Sequence, residues 1–137
     1  MAHRRPDRTL GPGHDEFWAW CDKQELRLPK CQACGKLAWP VTPRCQQCDA
    51  SKFVWVQLSG RGSIVSWGTF VQDYYRGQMA TPYDTILVEL EEGVLFISNP
   101  DGFGEQDISP GMEVSVRFID CEDSAGPFRL PVFCRSS

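Results

Sequence analysis

Four of the seven cysteines stand in two pairs, Cys31-Gln-Ala-Cys34 and Cys45-Gln-Gln-Cys48, with ten residues between the pairs. A two-residue gap lets both sulfurs of a pair point the same way, and two such turns complete a tetrahedron of thiolates. Zinc is the expected ion, one per chain. Iron uses the same ligands, so residue type alone leaves it open, with a rubredoxin-like electron carrier as the corresponding function. Cysteine would fill all four places and leave none for water or substrate, so the centre is expected to be structural. Lys30, Lys36, Arg44 and Lys52 flank the ligands and would offset the charge of a four-thiolate site. No secretory signal pattern is present, which points to the cytoplasm, a reducing compartment where disulfides do not persist. Cys21, Cys121 and Cys134 are expected as small buried hydrophobes.

Catalytic groups are sparse. The only histidines are His3 and His14, both ahead of the strands, and the sequence has no Gly-x-Ser-x-Gly elbow and no Gly-rich phosphate loop. Acidic pairs such as Glu91-Glu92 and Glu122-Asp123 read as solvated turn residues. A binding or assembly module follows from this, although a half-site completed by a partner would escape the argument. The segment from Gln72 to Asp84 is long for a hairpin connection and carries Tyr74, Tyr75, Arg76 and Tyr83, groups that stack and hydrogen-bond. Such loops on a rigid scaffold bind ligands; the alternative is a loop folded over the barrel mouth. For a pyrophosphate or adenine, the available cations are Arg61, Arg76, Arg117 and Arg129.

These groups need a frame. Residues 1–12 are polar and aperiodic and read as a mobile or partner-ordered arm. From Gly13 to Gln24, Asp15 can cap and Phe17, Trp20 and Cys21 fall at i, i+3 and i+4, which predicts a short amphipathic helix. Trp18 lies off that face, so Phe17, Trp18 and Trp20 together exceed what a short helix needs. Either they pack on the ribbon and barrel, or one of them meets a second protein. Glu25 to Leu28 alternates into the first knuckle, and Leu37 to Val41 is expected as the return strand of a ribbon, edged by Pro40 and Pro43. Residues 13–52 are thus read as helix plus zinc ribbon, too short for a core of its own without metal. Residues 53–137 read as a small closed barrel, with strands at Phe53–Leu58, Gly62–Phe70, Thr85–Glu91, Val94–Ser98, Glu113–Asp120 and Phe128–Phe133. Ile86, Val88 and Leu90 share one strand face and Glu89 and Glu91 the other. Val114, Val116 and Phe118 repeat the pattern. The chain of 137 residues has a net charge of −4, which gives no electrostatic reason to bind nucleic acid, and no apolar run long enough to span a membrane.

The order helix, two-knuckle ribbon, small barrel resembles a bacterial and archaeal family, once of unknown function and now called acyl-CoA-associated, that joins a rubredoxin-like zinc ribbon to an OB-fold. The resemblance rests on Phe17-Trp18, Glu25-Leu26-Arg27-Leu28, Cys31-x-x-Cys34-Gly35, Cys45-x-x-Cys48, Trp55, Ser59-Gly60-x-Gly62-x-Ile64-x-Ser66-Trp67, Pro82-Tyr83, Val88 to Gly93, Ser98-Asn99 and Gly111-Met112. Asp49 stands where the second knuckle usually has glycine, and Gln46 replaces a common proline. The resemblance implies a mainly β fold and a non-catalytic partner of a thiolase-superfamily enzyme, in a hetero-oligomer that shapes an acyl-CoA channel. Its Gly11 to Trp18 opening looks most like the branch associated with retro-aldolases of steroid side-chain degradation. The OB-fold also carries an alternative, a single-stranded nucleic-acid module, which the acidic balance opposes.

Overall fold

Alternating apolar residues separated by glycine turns produce strands here, and the one stretch with helical spacing produces a helix. The computed structural model describes residues 3–73, 75 and 79–136. In chain order these form β1 (His3–Arg4), α1 (His14–Asp22), β2 (Arg27–Cys31), β3 (Phe53–Gln57), β4 (Arg61–Phe70), β5 (Tyr83–Leu90), β6 (Leu95–Ser98), a 3₁₀ turn (Glu105–Asp107), β7 (Glu113–Asp123) and β8 (Gly126–Arg135).

The barrel runs β6-β5-β4-β7-β8, with every pair antiparallel. It closes on a parallel contact, in which the Phe133 amide donates to the Asn99 carbonyl and the Asp101 amide to that of Phe133. Ile64, Ile86, Val88, Leu90, Phe96, Val114 and Phe133 are buried inside it. Each fully buried side chain of this kind contributes about 1.5–3 kcal/mol. The turn after β5 has Gly93 at φ 91°, and its amide bonds the Leu90 carbonyl. The Ser59-Gly60-Arg61-Gly62 entry to β4 has a steric cause. A Cβ on Gly62 would lie 2.5 Å from the Glu89 carbonyl oxygen, and one on Gly60, at φ 78°, would lie 2.4 Å from a Val116 methyl.

Two strand expectations change. Phe53–Gln57 does not enter the barrel; it pairs antiparallel with β2, from Arg27 opposite Gln57 to Cys31 opposite Phe53. The expected return strand at Leu37–Val41 is a single bridge between Lys30 and Leu37. β3 therefore supplies the ribbon's second strand, and the barrel begins at Arg61. Period-2 alternation sets which face of a strand is apolar but not which strand lies beside it.

α1 is shorter than expected and is capped by Gly13, not by Asp15, whose carboxylate instead accepts the Gly11 amide at 3.0 Å. It buries Phe17 and Cys21 and docks on β8, where Asp22 accepts the Arg129 amide and guanidinium. Residues 3–9, read from the sequence as an arm, run along the barrel. β1 lies parallel to β7, and Arg8 donates to Asp123 through Nε at 2.7 Å and its backbone amide at 3.0 Å. Asp123 is 3% exposed, which corrects its reading as a solvated turn residue. Arg8 also covers the Phe128 ring at 4.2 Å. None of the helices among the described residues is long and apolar enough to cross a membrane.

Candidate functional site

The two knuckles have the same internal geometry. The Cys31 amide bonds the Lys36 carbonyl and the Cys45 amide that of Ala50; the Gly35 amide returns to the Cys31 carbonyl and the Asp49 amide to that of Cys45, all at 2.8 Å. Both turns need a left-handed residue at the same place, supplied by Gly35 at φ 80° and Asp49 at φ 65°. Asp is among the few side chains that tolerate this region, which explains how Asp49 replaces glycine. Arg44 donates to the Asp49 carbonyl at 2.9 Å and stiffens the second turn.

This geometry brings the four sulfurs of Cys31, Cys34, Cys45 and Cys48 within 4.8 Å of one another, with Cys31 to Cys48 at 3.5 Å and Cys34 to Cys45 at 3.6 Å. Edges of about 3.8 Å follow from four bonds of 2.3 Å in a zinc tetrahedron, so the donor set fits such an ion. The electrostatics are those of a ligand set. The amides of Cys34 and Ala33 draw the Cys31 thiol down to about 6. Those of Cys48 and Gln47 lower Cys45. The Ala50 amide favours a Cys48 thiolate, but the neighbouring Cys31 sulfur, burial and the other two sulfurs outweigh it and push Cys48 up to about 12. Three sulfurs crowding a fourth discourage complete ionisation unless a cation joins them. The remaining cysteines are hydrophobes or nearly so. Cys21 and Cys121 are buried with thiols pushed up by that burial, and Cys134 is half-buried.

A second feature is a groove of about 880 Å³ between the N-terminal strap, α1, the ribbon's Trp39 and residues of β5, β6 and β8. Trp39 stacks on Phe96 with ring centres 5.1 Å apart, and Phe70 stacks on Tyr83 at the same spacing. Tyr75 stands 6.4 Å from Tyr83. Tyr75 and Tyr83 of the anticipated binding loop thus line the groove, whereas Tyr74 and Arg76 fall outside the described residues. The other anticipated cations are engaged elsewhere: Arg61 pairs with Glu91 at 2.9 Å, Arg117 with Asp101 at 3.0 Å and Arg129 with Asp120 at 3.5 Å. The groove's cations are Arg5 and Arg8, which sequence reasoning missed because the strap has no periodicity and its docking partners, β7 with Asp123 and Asn99, lie about a hundred residues away along the chain.

The helix aromatics divide. Phe17 is 2% exposed and packs on Trp39 and Phe96, so it belongs to the core and presents no open surface. Trp18 is half-buried, edge-on to Phe128, and its indole donates to the Thr9 carbonyl. Trp20 is half-buried outside the groove, beneath Arg27 at 4.1 Å and Lys23 at 4.9 Å.

A family profile described as the ChsH2 C-terminal OB-fold domain matches residues 55–118. The chain is 32% identical over 96 residues to a DUF35 domain-containing scaffold protein of Pyrococcus furiosus, covering 69% of each. It is 30% identical over 120 residues to a probable enoyl-CoA hydratase alpha subunit of Thermomonospora curvata, covering 85% of this chain but only 36% of that protein's length. It is 32% identical over 79 residues to the benzoylsuccinyl-CoA thiolase subunit BbsA of Thauera aromatica, covering 56% of this chain and 52% of that subunit. Among solved structures, a chain of an Ltp2-ChsH2(DUF35) aldolase superposes with a TM-score of 0.82 over 96% of this chain and all of that one, at 24% identity, and so shares its fold. With a scaffold relative 32% identical and aligned over two thirds of each chain, and residues 55–118 matched by the family profile, the protein belongs to the DUF35 family.

Proposed function

We propose that this chain is a non-catalytic accessory subunit of a thiolase-superfamily enzyme of acyl-CoA metabolism. On this reading it stabilises its partner and contributes a wall of the acyl-CoA channel. The observation that carries the reading is that relatives named for different reactions, a hydratase and a thiolase, share this one module with a relative named only as a scaffold. What such proteins have in common is not a reaction but a module associated with enzymes of CoA thioesters. The finer assignment is a lipid-transfer-type thiolase acting as a retro-aldolase, as in steroid side-chain degradation. It draws on the Gly11 to Trp18 opening and on the aldolase whose chain has this fold. Zinc, one per chain, is proposed for the four cysteines, with a structural role that fits the closed donor set.

The test is co-expression with the thiolase-like proteins encoded nearby, followed by affinity capture and size-exclusion chromatography. A stable complex is expected, with the enzyme soluble and active only in its presence. Failure of every such neighbour to co-purify overturns the reading. Metal analysis of the purified chain is expected to give one zinc and no iron; stoichiometric iron with a reversible redox wave would make it an electron carrier instead.

A further inference from the structure

The groove joins an aromatic lining to an arginine with no carboxylate within ion-pair distance among the described residues. Its lining is largely aromatic: Trp18, Trp39, Phe70, Tyr75, Tyr83 and Phe128 border a space of about 880 Å³. That lies within the range of small-molecule sites. Its charged side chains are Arg5, Asp7 and Arg8. Arg8 is neutralised by Asp123, and the Asp7 carboxylate accepts the Ser124 amide. Arg5 differs. Among the described residues it has no carboxylate within ion-pair distance, and its one side-chain bond is from Nη2 to Asn99 Oδ1 at 3.2 Å. Asn99 is held in turn, because its amide donates to the Asp84 carbonyl at 2.7 Å. Burial works against the charged form of Arg5, so the fold holds a partly desolvated guanidinium with no carboxylate within ion-pair distance among the described residues, an arrangement that costs stability unless something anionic completes it. Tyr75 and Tyr83 lie near enough to contribute to its electrostatic environment.

We infer that the groove binds a ring-containing small molecule bearing an anionic oxygen group, its rings against the aromatic lining and its oxyanion on Arg5. That the natural occupant is the acyl portion of a thioester rests on the accessory-subunit reading; the affinity for an aromatic anion does not.

The test uses the full, zinc-loaded chain and two fluorescent probes of nearly equal shape, 8-anilinonaphthalene-1-sulfonate and the uncharged N-phenyl-1-naphthylamine. Both are expected to bind, the sulfonate more tightly. Arg5→Gln should weaken the sulfonate about tenfold, the loss of one charge-assisted contact, and leave the neutral probe within about twofold. Arg5→Lys should restore part of the difference. Thr85→Trp, which adds bulk to a groove wall, should abolish both, and Arg61→Gln, away from the groove, should change neither. Thermal unfolding of each variant separates loss of site from loss of fold. Sulfonate affinity unchanged in Arg5→Gln, or probes still bound in folded Thr85→Trp, overturns the inference. Capture of the thiolase-like partner by Arg5→Gln is scored in parallel. A retained complex with no Arg5-dependent binding removes the groove inference alone, whereas Arg5-dependent binding with no partner at all removes the accessory-subunit reading alone.

Discussion

Asp123 accepts four hydrogen bonds, three from Arg8 and one from the Ala125 amide. Led by the Arg8 guanidinium, these bonds hold its carboxyl down to about 2. An unfolded aspartate titrates near pH 4, so the folded value is the lower one. The stabilisation is then complete above about pH 5 and disappears as pH falls toward 2. Asp123→Ala should cost about 3 kcal/mol at neutral pH, the penalty of stranding one member of a buried pair. It should also flatten the acid limb of stability against pH measured by urea titration. Gly62 gives a second single-residue prediction. The Cβ that Gly62→Ala adds meets backbone, which cannot swing aside, so a loss of about 1–3 kcal/mol is expected. Gly102→Ala, where nothing stands within 4 Å but φ is 84°, should lose only about 1 kcal/mol of conformational cost. Urea midpoints of the two variants check the order.

At the level of elements, the features legible in the sequence were those that repeat or punctuate. The two Cys-x-x-Cys turns marked the ribbon, and alternation found β4 to β8 to within a few residues, because each places one face against the core. The pairing of β3 with β2 was not legible, since the alternation in Phe53–Gln57 serves a ribbon as well as a barrel. The strap was not legible either. Arg5 and Arg8 look like ordinary solvated cations until β7 and β8 bring Asp123 and Asn99 beside them. The ribbon carries its own prediction. Its first cysteines have lowered thiols and Cys48 a raised one, so ion binding must displace protons and tighten as pH rises. Zinc titrated into the apo chain in weakly buffered solution should release protons, with affinity increasing from pH 6 to 8. Cys48→Ser should release fewer protons and bind more weakly; proton release unchanged in that variant would exclude Cys48 as a ligand.

In the whole molecule the ribbon and the barrel meet through Trp39. It sits on the ribbon side of the first knuckle, yet its ring stacks on Phe96 of β6 and packs 4.5 Å from Phe17 of α1. The four-cysteine cluster fixes both ends of the loop that carries Trp39, which is otherwise held by the Lys30–Leu37 bridge, the Ala38 amide on the Pro29 carbonyl and the ring contacts of Trp39, so a metal bound there would act as a staple for this junction. The barrel is different, with continuous strand pairing and a buried core of its own. Chelation should then separate the two. Far-ultraviolet dichroism should keep most of its strand signal, while the near-ultraviolet tryptophan signal and groove binding of N-phenyl-1-naphthylamine should fall together, and both should return on adding zinc. Capture of the thiolase-like partner should follow the same course. A metal-free chain that keeps the tryptophan signal, the probe and the partner would show that the barrel alone defines the groove and that the ribbon serves some other end.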